Sequence, residues 1–182
     1  LRISNIAITG NPNAGKTTLF NSLTGLRQKV GNYPGVTVEK KEGRVQFDHG
    51  QEASIIDLPG MYSLTANSLD ERVATDILLG RTSHTPLPQL VICVVDASNL
   101  ERNLYLATQV LEAGLPVVLA LTMTDVARDR GHVLDLAALA KGLGVPVVPL
   151  VAHRGEGLED LVAAVAQALA SGTPARRIVA FP

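Results

Sequence analysis

Eight consecutive residues, Gly10-Asn11-Pro12-Asn13-Ala14-Gly15-Lys16-Thr17, have the composition and spacing of a loop that cradles phosphate. Glycines at both ends of such a loop let successive backbone N–H groups converge on an anion, and a helix starting at the second glycine adds its positive end. Lys16 at this spacing reaches the β- and γ-phosphates of a nucleotide, and the Thr17 hydroxyl ligates Mg2+. The flanks agree. Ile3, Ile6, Ala7 and Ile8 precede the loop as a strand, and Thr18-Leu19-Phe20-Asn21-Ser22-Leu23 continues it as a helix.

Two further segments carry matching chemistry. Asp57-Leu58-Pro59-Gly60 follows the apolar run Ala53-Ser54-Ile55-Ile56, so the carboxylate is expected at the carboxyl end of a strand, where ligands bind in open α/β sheets. There Asp57 can hold Mg2+ through water, and the Gly60 N–H can meet a γ-phosphate. Between the two lies Gly31-Asn32-Tyr33-Pro34-Gly35-Val36-Thr37-Val38-Glu39, whose glycines and proline exclude continuous helix. It reads as a mobile segment ending in Thr37, whose hydroxyl completes the Mg2+ shell.

These residues must be positioned by alternating strands and helices, the pattern of a mostly parallel sheet covered on both faces. Strands are expected near residues 3–9, 37–47, 52–57, 90–96, 116–121 and 145–150, and helices near 16–24, 68–80, 100–113, 133–142 and 157–170. The expected fold is thus α/β with six strands. The second and third strands, joined through Asp48-His49-Gly50-Gln51, read as an antiparallel pair at a sheet edge. Ser98 or Asn99 is the expected cap of the third helix, and 81–89 reads as a surface loop.

Composition narrows the function. The chain has 182 residues, 46% of them hydrophobic, and a formal net charge of −1, which suits one compact domain and offers no basic surface for nucleic acid. The single cysteine, Cys93, lies in an apolar run and reads as a buried thiol. His49, His84, His132 and His153 share no ligand spacing with one another. No apolar stretch approaches the roughly 20 residues of a membrane span. The chain starts without Met and stops soon after Arg176-Arg177-Ile178, which suggests a piece of something longer.

Together with Asp57-Leu58-Pro59-Gly60-Met61-Tyr62-Ser63-Leu64 and Asn99-Leu100-Glu101-Arg102-Asn103-Leu104-Tyr105-Leu106, these motifs resemble the N-terminal GTPase domain of FeoB-type ferrous iron transporters. The resemblance runs from about residue 3 to 171, with 172–182 as a linker or the entry to a helical domain. It implies a P-loop, Ras-like G domain that binds GTP and GDP with Mg2+ and regulates Fe2+ uptake at the cytoplasmic face of a bacterial inner membrane. The implied partners are a helical domain and an iron permease of the same parent chain. Small cytosolic Feo proteins and self-association are compatible with it.

The resemblance also implies that Gly10, Asn11, Pro12, Asn13, Ala14, Gly15, Lys16, Thr17 and Thr18 contact phosphate, with Gly35, Val36, Thr37 and Asp57 to Gly60 as the switch segments. Asn13, with backbone carbonyls around Gly31, Asn32 and Tyr33, is implied to coordinate K+ beside the phosphates and so to speed hydrolysis. Lys16, Thr37, Gly60 and Asn13 form the implied catalytic set. Met61 stands where Ras-like proteins carry a water-orienting glutamine, so intrinsic turnover is expected to be slow. Asp70 and Glu71 read as the solvated first turn of the following helix.

Base recognition departs from the family pattern. Thr122-Met123-Thr124-Asp125 stands where Asn-Lys/Met-X-Asp is usual. Asp125 can accept from guanine, whereas Thr122 lacks the amide that contacts the base and ties this loop to the phosphate loop. Val151-Ala152-His153 replaces Ser-Ala-X, so Ala152 keeps its N–H while the supporting hydroxyl is gone. The expected result is weaker GTP binding and specificity relaxed toward ATP. Alternatives of other classes are a stand-alone GTPase of ribosome or tRNA maturation, and a nucleotide-occupancy sensor with negligible hydrolysis.

Overall fold

The computed structural model describes residues 4–47 and 51–172. Seven strands form one sheet: β1 (Ser4–Gly10), β2 (Gln28–Asn32), β3 (Glu39–Gln46), β4 (Glu52–Asp57), β5 (Leu90–Asp96), β6 (Val117–Thr122) and β7 (Val147–Pro149), in the order β2-β3-β4-β1-β5-β6-β7. β4, β1, β5, β6 and β7 run parallel, and β2 and β3 continue the sheet antiparallel.

The central strands are apolar along their whole length because helices cover both faces. On β5, Val91, Cys93 and Val95 face a core shared with Ala74 and Ile77 of α2 (Leu69–Leu78) and Leu106 and Val110 of α3 (Leu100–Glu112). Leu90, Ile92 and Val94 face the opposite core, with Leu19 and Phe20 of α1 (Lys16–Thr24) and Leu161 and Val165 of α6 (Leu158–Ser171). This period of two puts alternate side chains into separate cores. α4 (Thr124–Asp129) and α5 (Leu136–Leu143) flank β6 and β7 in chain order.

Besides α4, a helix where none was expected, three expectations need correction. There are seven strands, not six. The additional one, β2, is Gln-Lys-Val-Gly-Asn, too polar and exposed to show a strand pattern, and it exists by pairing with β3. β3 and β4 are antiparallel as expected, but the sheet edge belongs to β2. Residues 28–32, partly inside the segment expected to be irregular, are therefore a strand. The third correction concerns α3: Asp96 accepts from the Ser98 N–H and hydroxyl at 2.8 Å each, capping a short 3-10 turn over Ala97–Asn99, and Asn99 makes no side-chain cap bond.

α2 opens as the acidic pair Asp70 and Glu71 suggests. Ser68 accepts from the Glu71 N–H at 3.2 Å, and the Glu71 carboxylate accepts from the Asn67 N–H at 2.7 Å, so side chains satisfy otherwise unpaired donors. The expected turn at 48–51 lies mostly outside the described residues, as do His49 and all of 173–182. Among the described residues no helix is long and apolar enough to cross a membrane.

Candidate functional site

β1 delivers the phosphate loop at the carboxyl end of the sheet, next to the end of β4 that carries Asp57. Gly15 sits at the head of α1 with φ 85°, a left-handed conformation that glycine adopts without steric cost, and no side chain caps the helix. The N–H groups of the first turn are thus left for a ligand. Asn13 is also left-handed, with φ 65°, and its side chain is exposed. Thr17 and Thr18 are exposed beside it, Pro12 is exposed and Ala14 is buried.

Lys16 forms an ion pair with Asp57, their side chains 11% and 6% exposed. A cation from the phosphate loop and a carboxylate from β4 thus neutralise each other in a nearly dry site. The segment after Asp57 is zipped onto β1: the Leu58 N–H donates to the Ile8 carbonyl at 3.0 Å and the Met61 N–H to the Gly10 carbonyl at 3.1 Å. Gly60 lies so close to the phosphate loop that a Cβ there would stand 3.2–3.3 Å from Pro12. The Leu58 and Met61 side chains are fully buried in the core, and Pro59 is half-buried.

The segment carrying Thr37 is a hairpin tip. Asn32 closes β2 against Glu39, the Tyr33 N–H donates to the Val38 carbonyl at 3.0 Å, and the Val36 N–H donates to the Tyr33 carbonyl at 3.2 Å. Gly35 turns the chain with φ 77°, Val36 packs on the core, and Thr37 is exposed. Among the described residues no hydrogen bond links Thr37 to the phosphate loop. Tyr33 is buried with its hydroxyl unpartnered, and burial, then the Asp57 and Glu42 carboxylates, push its ionisation well above the usual range.

At the base end, Thr122 does what its sequence suggests it has lost. Its hydroxyl donates to the Ala14 carbonyl at 2.7 Å and lies 3.2 Å from the Val95 carbonyl, so β6 remains tied to the phosphate loop. The expected loss of that tie is therefore corrected: a hydroxyl on a shorter side chain reaches the backbone directly. Met123, with φ 55°, and half-buried Asp125 follow at the head of α4, and Thr124 ties this loop to the next by donating to the Leu150 carbonyl at 3.2 Å. Val151 is buried and bridges Glu156 through its N–H at 3.1 Å, so packing and a backbone bond stand in for a serine hydroxyl. Ala152 is half-buried and His153 exposed.

One candidate points elsewhere. Asn11 is 3% exposed and its amide donates to the Arg102 carbonyl of α3 at 3.4 Å. Other contacts also gather at α3: Arg102 stacks over Tyr62 at 4.4 Å, and the side chain of Gln109, a residue missed by sequence reasoning, accepts from the Leu64 N–H at 2.7 Å. The signal for Arg102 lay in the Asn99–Leu106 stretch, which the spacing alone left without a role, and Gln109, just beyond it, carried none.

A family model described as ferrous iron transport protein B matches residues 4–165. The chain belongs to this family. The Fe(2+) transporter FeoB of Salmonella typhimurium strain LT2 is 52% identical over 165 residues, which make up 88% of this chain and 20% of the relative. The FeoB of Escherichia coli K12 is 51% identical over the same proportions. The chain thus spans about a fifth of the length of these FeoB relatives. Among solved structures, the cytosolic domain of T. maritima FeoB in apo form superposes with a TM-score of 0.90 at 42% identity, covering 100% of this chain and 69% of that one. Its GMPPNP form gives 0.84 at 45%, with 91% and 63% covered. The FeoB G-domain from Methanococcus jannaschii gives 0.80 at 44%, with 93% and 99% covered. The fold is that of FeoB G domains, a P-loop architecture.

Proposed function

We propose that this chain is the GTP-binding, GTP-hydrolysing switch domain of a FeoB-type Fe2+ transporter, regulating iron uptake from the cytoplasmic face of the inner membrane. The observation that carries the reading is the buried Lys16–Asp57 pair at the junction of the phosphate loop and β4. Each member is the complement of one half of a Mg-nucleotide: the ammonium of phosphate, the carboxylate of a hydrated metal. T. maritima FeoB has been solved with GDP and with GMPPNP, which supports guanine nucleotides as the ligands.

Thr17 and Asp57 fit a Mg2+ ion, being oxygen donors at the mouth of the phosphate loop, and Thr37 joins them once the hairpin tip turns inward. Mg2+ in that place would neutralise charge on the phosphate oxygens. This chain's own part is to hold the phosphates with Lys16 and the loop amides, and to present the Gly60 N–H beside Pro12. Met61 is sealed in the core, so no side chain at that position orients water, and unassisted turnover is slow. Asn13 fits K+ as an exposed oxygen donor of the phosphate loop, whereas Gly31 and Tyr33 sit in a closed hairpin, with Gly31 opposite Lys40 of β3 and the Tyr33 carbonyl accepting from the Val36 N–H. K+ stimulation then requires the hairpin to open.

Guanine specificity rests on Asp125, since the Thr122 proton is spent on backbone carbonyls. We therefore retain weaker GTP binding and relaxed discrimination against ATP as part of this reading. Calorimetric titration with GDP and ADP tests it: binding of both is expected, with GDP preferred, and sub-micromolar GDP affinity without detectable ADP binding would overturn the relaxed specificity. Four fifths of the relatives' length lies outside this chain, which supports an attached helical domain and permease. The buried Met61 favours one second reading, a sensor that gates by nucleotide occupancy alone. Phosphate release in KCl and NaCl separates the two.

A further inference from the structure

The Asn99–Leu106 stretch acquires a role when its contacts are traced. Asn103 fixes the start of α3: its side-chain oxygen accepts from the Asp96 N–H at 3.2 Å and its amide donates to the Asn99 carbonyl at 2.9 Å. The helix is thereby pinned to the end of β5, and Leu106, Ala107, Val110 and Leu111 anchor it in the core. From this support three contacts reach the phosphate loop and the segment after Gly60. Asn11 of the phosphate loop bonds the Arg102 carbonyl, the Arg102 guanidinium covers the Tyr62 ring, and Gln109 holds the Leu64 N–H.

Gly60 is thus gripped from both sides. Upstream and immediately downstream, the backbone bonds of Leu58 and Met61 fix it to β1. Beyond Met61 the chain leaves the sheet, and Tyr62 and Leu64 are held by α3. Tyr62 is 42% exposed, so burial alone does not keep it in place. A planar guanidinium on an aromatic face and a hydrogen bond to a side-chain acceptor supply the restraint instead.

We propose that Arg102 and Gln109 are positioning residues for the GTPase reaction, with α3 acting as the clamp that holds the Gly60–Leu64 segment in register with the phosphate loop. The inference rests on the GTPase reading of the site. Among the described residues neither side chain hydrogen-bonds to the phosphate loop. They act through Tyr62 and Leu64, and the Arg102 backbone carbonyl bonded to Asn11 ties the same helix to the phosphate loop. Since positioning error at a reacting centre lowers the rate without weakening ground-state binding, the clamp should be felt in kcat and not in nucleotide affinity.

The test compares the wild-type chain with Gln109→Met, which keeps the side-chain volume but removes the acceptor, and Gln109→Glu, which keeps an acceptor. Arg102→Met, which keeps the stem, completes the set. GTP turnover, GDP affinity and hydrogen exchange at the Leu64 amide are measured for each. For Gln109→Met, Leu64 exchange should quicken about tenfold and kcat fall about tenfold, with KM and GDP affinity within about twofold of wild type. Gln109→Glu should restore both, and Arg102→Met should lower kcat without altering GDP affinity. If the wild type turns over GTP but Gln109→Met and Arg102→Met keep their kcat, the clamp is disproved. If the wild type neither binds nor hydrolyses GTP, the GTPase reading falls instead. In that event Leu64 exchange decides alone: unchanged exchange in Gln109→Met rejects the clamp, and faster exchange upholds the grip.

Discussion

Thr122 keeps the structural half of an asparagine's work. Its hydroxyl spans β6, β5 and the phosphate loop through the Val95 and Ala14 carbonyls. Thr122→Val retains the shape and deletes the donor that joins β6 to the Ala14 carbonyl. It should lose about 1–3 kcal/mol of stability in urea denaturation and weaken GDP binding, whereas Thr122→Ser should stay near wild type. Lys16→Ala leaves Asp57 as a buried charge without its partner, so beyond abolishing nucleotide binding it should destabilise the fold by about 3 kcal/mol, read from the same denaturation curves. That Lys16 and Asp57 meet at one site was legible in the sequence, because each stands at a set spacing after a strand that ends there. Asn11 and Met61 were not, since a motif does not say which face of the backbone a side chain leaves from. The structure turns the first toward α3 and the second into the core.

At the scale of elements, the sequence was readable where the element's own residues determine it. β4 and β5 matched because an uninterrupted apolar run demands cover on both faces, and α1 matched because the phosphate loop dictates its start. β2 and α4 were missed for the opposite reason: five polar residues and a six-residue helix have no periodicity of their own, and neighbours create them. The seam between α1 and β3 illustrates such dependence. A Cβ on Gly43 would collide with Thr24 Cγ2 and stand 3.2 Å from the Arg27 carbonyl. Gly43→Ala should therefore cost about 1–3 kcal/mol of stability through overpacking. Adding Thr24→Ala should recover part of that loss, and a strictly additive double mutant, measured by denaturation midpoint, would show that the two residues are not in conflict.

Across the whole molecule, two cores lie on either side of one sheet, and Cys93 sits in the middle of the α2–α3 core. Burial pushes its thiol from an ordinary 9.0 up to about 12. The folded state therefore keeps the proton where the unfolded chain loses it. Its contribution is complete below about pH 9 and is lost as pH rises toward 12. Stability measured from pH 9 to 11 should fall more steeply for wild type than for Cys93→Ala, and equal slopes would refute the assignment. The same two-sided core holds the phosphate loop, the Asp57 strand end and the Gly60 segment together at the carboxyl ends of the interior strands β1 and β4, the scaffold that the proposed nucleotide switch requires. The most direct test of that account is phosphate release from Mg-GTP, followed for wild type and Lys16→Ala in KCl and in NaCl. Slow release by wild type, faster in KCl and absent in Lys16→Ala, is the predicted result. Release from wild type no faster than from Lys16→Ala in either salt would contradict it.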